Sequence, residues 1–356
     1  MKKGPNKQGP FFCLYCFCFN CISLLKKMTL NNKSQIIRII SYSVVAITFA
    51  FLINNILTCW YDWPGIKKLY ANYELFGFKK LNKPLDSSTI MFCYLQFLFY
   101  IISIAAVISY IFKTPEQNLN KDSEIFASIS AYIIRSAFWA VFILGVVDII
   151  ISFLAVERLL EVIFNEKIKF KLISAEFRIS FIHFPLIIIS MVVGYFTRTT
   201  GFIWLAVLVV FSEFSIVISR FIFYYEQAFM GDLVRFWYAA LFLFASAYAL
   251  IHEGHVRVDV LYTSFSESKK AWTNTIGSSI LGIPLCLCII FLGMSSKASI
   301  INSPLLAFEV TQQGSSGLYL KYLMAAYLAI FAVSMLTQFT SYFMSNTYKI
   351  LENSKS

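Results

Sequence analysis

Polar positions along this chain fall in short clusters, and long apolar runs separate them. The runs cover about 39–59, 88–112, 125–155, 179–196, 202–222, 236–251, 274–294 and 319–343. Each approaches or exceeds the ~20 apolar residues that a helix needs to cross the hydrocarbon core of a bilayer. None alternates apolar and polar positions as the strand of a membrane barrel would. The pattern predicts an all-α, polytopic integral membrane protein with seven or eight transmembrane helices. Arg135 interrupts the third run, so its membrane span is expected at 136–155, preceded by an interfacial turn. Trp60, Tyr61, Trp63 and Pro64 follow the first span and read as an interfacial aromatic belt.

The run 179–196 decides between seven and eight. It is short, with His183 and Pro185 near its start. Loop Lys and Arg show a similar inside excess in either topology, and starting the chain at Met28 tilts the count towards seven. An interfacial helix, however, has one polar face, and this segment is apolar on all sides. Eight is the reading taken. Both topologies leave the loop 252–273 and the C-terminus on the cytoplasmic side.

The most polar internal stretch, VERLLEVIFNEKIKFKLISAEFR, suggests a boundary. The organisation expected is a polar, Cys-rich tail over 1–38, a membrane extension of about three spans over 39–178, and a second unit over 179–356.

Composition agrees. Hydrophobic residues reach 58% and charged residues only 14%, against ~45–50% and ~25% in soluble domains. Too little polar surface exists to coat a soluble globule. The net charge of +11 sits between apolar runs, where Lys and Arg set topology and meet anionic lipid rather than nucleic acid. The partner implied is the lipid bilayer. Cys13, Cys16, Cys18 and Cys21 superficially offer metal spacing, but Leu, Tyr, Phe and Asn separate them and no His lies near. No metal, cofactor or disulfide framework is expected, and residues 1–27 read as an extension ahead of a start at Met28.

Two acids lie within apolar runs, Asp148 and Glu213. An ionisable group there costs ~2.5–3.5 kcal/mol on insertion scales and calls for a purpose. They read either as coupling acids of an ion or proton pathway or as groups that dock one helix on another. No phosphate-binding glycine loop, nucleophile elbow or paired-histidine metal motif appears, so no catalytic residue is assigned and no enzyme is expected.

Polar residues are densest over 231–262. Asp232 and Arg235 are three apart at a helix start, where an acid suits the positive end of the helix dipole. Ala245, Ser246 and Ala247 allow close helix packing. The helix then ends in Gly254-His255-Val256-Arg257-Val258-Asp259, with polar and apolar positions alternating. With Arg220 ending the preceding span, this order resembles the signature of the small permease subunit of TRAP (tripartite ATP-independent periplasmic) transporters. Asp232-Leu233-Val234-Arg235 is similar to that family's acidic-Leu-x-Arg helix start, although Glu is its more usual acid. The basic loop SESKKAW and the four spans from 202 to about 343 match its remaining domain. The preceding 200 or so residues resemble an extension found in a longer subset of these subunits.

The resemblance implies a bacterial inner-membrane subunit. Its partners would be a large permease subunit and a periplasmic solute-binding protein. It would brace the large subunit during sodium-coupled uptake of an organic anion or related solute. It also implies signature roles for Arg220, Asp232, Arg235, Gly254, His255, Arg257 and Asp259. The first three are expected to form one charge cluster at the periplasmic interface. The alternative is a self-sufficient transporter or channel using Asp148 and Glu213. A membrane anchor for a redox enzyme is disfavoured by the three His.

Overall fold

A computed structural model describes residues 30–77, 85–198, 201–251, 262–308 and 317–353. The Cys cluster, the proposed start at Met28 and the motif 254–259 lie outside these residues. Among the described residues there are eight helices long and apolar enough to cross a membrane. They are α1 (Leu30–Trp60), α2 (Ser87–Lys113), α3 (Leu119–Val156), α4 (Ala175–Phe196), α5 (Phe202–Ile222), α6 (Ala228–Ile251), α7 (Glu267–Gly293) and α8 (Leu323–Asn353). A 3₁₀ turn, Tyr319–Tyr322, leads into α8. Successive helices run antiparallel, so one end of the bundle gathers the last turns of α1, α3, α5 and α7 with the first turns of α2, α4, α6 and α8.

The eight-span reading agrees with this count, and 179–196 forms most of α4. The interruption expected at Arg135 does not occur: α3 is one unbroken helix. Arg135 Nε donates to the Gly194 carbonyl near the end of α4, 3.2 Å away. The charge is thus consumed by a neighbouring helix end, and no break is required. Asp148 lies in the last third of α3, which begins at Leu119.

The core does not divide at 178. Helix α3 lies against α8, α6 and α4. Ile134, Phe138, Val141 and Leu144 of α3 share one buried cluster with Leu233, Phe236 and Trp237 of α6 and Ala332 and Leu336 of α8. Small residues let the backbones approach, as is usual where lipid supplies no hydrophobic drive between helices. A Cβ on Gly145 would lie 2.5 Å from Trp237 Nε1, and one on Gly194 would lie 2.9 Å from Ser136 Cα. The space at Gly145 lets the Trp237 indole cross to α3 and donate to the Val141 carbonyl at 3.1 Å.

Polar ties hold the outer helices. At the end of the bundle that holds the last turn of α8, Arg38 of α1 is nearly fully buried. Its Nε donates to Asp122 Oδ2 at 2.5 Å and its Nη1 to the Thr114 carbonyl at 2.6 Å. Tyr42 and Gln117 donate to the other Asp122 oxygen. At the opposite end Gln96 of α2 bridges Asn54 and the Gly65 amide. There Lys297 also pairs with Asp62, which holds that exposed carboxyl below the usual range. Helix α2 packs chiefly along α1, and α5 chiefly along α6, so both are peripheral.

Candidate functional site

The segment that enters α8 is gripped by two carboxylates from different parts of the chain. Leu318 N–H donates to Asp232 Oδ2 at 3.2 Å, and the next amide, Tyr319 N–H, donates to Asp148 Oδ2 at 3.0 Å. First-turn amides have no partner within their own helix, and the dipole there favours negative charge. Asp148 comes from α3 and Asp232 from the first turns of α6, so acids on two different helices hold the segment that enters α8.

Asp148 is fully buried and paired. Its Oδ1 accepts from Arg178 Nη1 at 2.9 Å and lies 3.2 Å from His183 Nε2. Arg178, also fully buried, donates through Nε to the Leu172 carbonyl and through Nη1 to Ser152 Oγ. Its guanidinium carbon sits 4.2 Å from the centre of the Tyr319 ring. The other histidine nitrogen, Nδ1, lies 3.2 Å from the Tyr322 hydroxyl, and the two rings stack. A π-helical stretch, Ile179–His183, makes this possible. Its wider turn brings residues five apart onto one face, so Arg178 and His183 both reach Asp148.

Around Asp232 the partners differ from those expected. Lys321 Nζ lies 2.7 Å from Asp232 Oδ1, while Arg235 is 3.8 Å away with a largely exposed side chain. Arg220 does not join them. It pairs with Glu226 at 3.4 Å, both side chains being more than half exposed. The connection after α5 brings Glu226 back beside Arg220, whereas the Asp232 carboxylate turns inward to α8. Nearby, the Tyr225 hydroxyl donates to Glu157 Oε1 at 2.6 Å; burial and then Glu157 push its pKa up to about 12, so it stays a neutral donor. Lys321, Arg178, His183 and Tyr322 were absent from the sequence-derived set. The i, i+5 spacing of Arg178 and His183 is visible in the sequence, but only a π turn gives it meaning.

Glu213 is elsewhere. It lies on the exposed side of α5, and no ion pair or hydrogen bond to it occurs among the described residues. Asp148 and Glu213 are therefore not brought together: one is buried in the core and the other faces outward. Gly254, His255, Arg257 and Asp259 lie outside the described residues.

The ties around Asp232 give an ordered series of expected effects. Asp232→Ala removes an acceptor that is 3% exposed and leaves the Leu318 amide and Lys321 without it; a loss of about 1–3 kcal/mol is expected. Lys321→Ala should cost less, and Arg235→Ala no more than about 0.5 kcal/mol. Thermal unfolding of the three variants in detergent checks the order. An Arg235 effect equal to that of Asp232 would contradict it.

Residues 205–346 match the family model "Tripartite ATP-independent periplasmic transporters, DctQ component". No curated protein and no solved structure matches the chain significantly. The match begins at Leu205, early in α5, and ends at Asn346 in α8, so it covers most of α5–α8, with Asp232 in α6 and Lys321 in the 3₁₀ turn that leads into α8. Over that region the chain is similar to the DctQ component, the small membrane subunit of the TRAP transporters.

Proposed function

We propose that this chain braces the large permease subunit of a TRAP transporter in a bacterial inner membrane. A periplasmic binding protein delivers an organic anion or related solute to the complex, and uptake is coupled to sodium. The carrying observation is the double grip of Asp148 and Asp232 on the start of α8. The buried charges there are spent on holding helices together, as suits a rigid support. In this reading the gripped end faces the periplasm and the C-terminus the cytoplasm. His255, Arg257 and Asp259, with Gly254 ending the helix, hold the cytoplasmic turn of α6 or touch the large subunit. No catalytic step and no cofactor is assigned.

Reconstitution tests this. Liposomes holding the chain alone should take up no solute under a sodium gradient, even with loaded binding protein outside. Liposomes that also contain the large subunit should take it up. Uptake by the isolated chain, abolished by Glu213→Ala, would overturn the proposal. Topology is checked by fusing a periplasm-dependent reporter at Ser268, which should stay silent, and near Asn165, which should be active.

A further inference from the structure

Helix α5 has one covered side. Leu205 and Ser212 are buried against the bundle, and one turn either way the same side stays partly covered. The remaining sides are apolar and open, with Ile203, Val207, Val210, Phe214, Val217 and Phe221 all about half exposed or more. Open apolar surface is ordinary where lipid is the solvent. Glu213 is not. It is the twelfth residue of a 21-residue helix. At 1.5 Å per residue it stands close to the middle of the span. Its side chain is exposed, and nothing among the described residues pairs with it. Arg220, two turns away, is engaged with Glu226 beyond the end of the helix. A carboxyl group at that depth, ionised or neutral, is poorly served by hydrocarbon and needs a hydrogen-bond partner.

We infer that the face of α5 centred on Glu213 is an intramembrane docking surface. Its occupant is a transmembrane helix of the large permease subunit that presents a hydrogen-bond donor at mid-membrane depth. The inference rests on the function proposed above and adds where the two subunits meet. Val210 and Val217, three residues before Glu213 and four after it, share its face and flank the contact. The open position of α5, packed chiefly along α6 alone, leaves this face free for a second helix. Complementarity favours such a partner: lipid tails offer no donor, and a second copy of this face would set two carboxyl groups together that cannot both ionise.

The test uses the full chain, tagged and co-expressed with the large permease subunit. A photo-crosslinking benzoylphenylalanine is placed at Val210, at Val217, or at the exposed Ile102 of α2 as a control. Crosslinks to the large subunit are expected from Val210 and Val217 and not from Ile102. Glu213→Leu should lower co-purified large subunit about three- to tenfold, without lowering the yield of the chain expressed alone. Glu213→Gln keeps a carbonyl acceptor and should retain most of the complex. If the wild type co-purifies while Glu213→Leu does so equally and the crosslinker captures only lipid, the docking face is wrong and the proposed function stands. Crosslinks between two copies of this chain would replace the large subunit with a homodimer and overturn the inference. Failure of the wild type to co-purify with any large subunit would overturn both.

Discussion

Replacing Arg178 with alanine is expected to destabilise the protein by about 3–5 kcal/mol, because it orphans a fully buried carboxylate. Asp148 would retain only His183 and the Tyr319 amide. Arg178→Lys should not rescue it. The guanidinium serves Asp148, Ser152 and the Leu172 carbonyl from fixed directions while lying over the Tyr319 ring. A single ammonium cannot reproduce that fork. Asp148→Leu combined with Arg178→Met should be milder than either single change, since no lone charge then remains in the core. Lys167→Ala, at an exposed position between α3 and α4, should stay within about 0.5 kcal/mol. Thermal unfolding in detergent measures all four. A wild-type melting profile for Arg178→Ala would show that the pair does not hold α3, α4 and α8 together.

A chain lacking α1–α3 is expected to accumulate in the membrane at about a tenth of the full-length level or below. Exposing an apolar helix face to lipid costs little in itself. The loss comes from packing and from stranded polar groups. Without α3, Trp237 loses the Val141 carbonyl and the Tyr319 amide loses Asp148. Arg178 and His183 would also face no carboxylate. On α8, Ser341 would lose the Ser123 carbonyl and the Ser334 carbonyl would lose the Ser130 hydroxyl. The readout is the amount of monodisperse chain recovered in detergent. Full recovery would show that the family-matched region folds without the extension.

The amino-acid sequence by itself determined the class and put the number of spans at seven or eight. Runs of apolar residues separated by charge permit little else in a bilayer, where each span must satisfy its backbone internally. The signature around Asp232 was equally legible, because it depends on local spacing within one helix. The partners of the acids were not. Asp148 and Arg178 are thirty residues apart, and Asp232 and Lys321 nearly ninety. Arg178 looked like a loop charge until the π turn at Ile179–His183 carried it into the core. Loop polarity also suggested a boundary near 178, yet one buried cluster spans that position. Loop polarity records where the chain leaves the membrane, whereas packing decides which helices share a core. Gly145 and Trp237 place α3 at its centre. Glu213 completes the contrast. Sequence marked it as an acid within a span, and only the tertiary structure decided that it faces outward, because α5 turns Leu205 and Ser212 towards the bundle and leaves Glu213 outside.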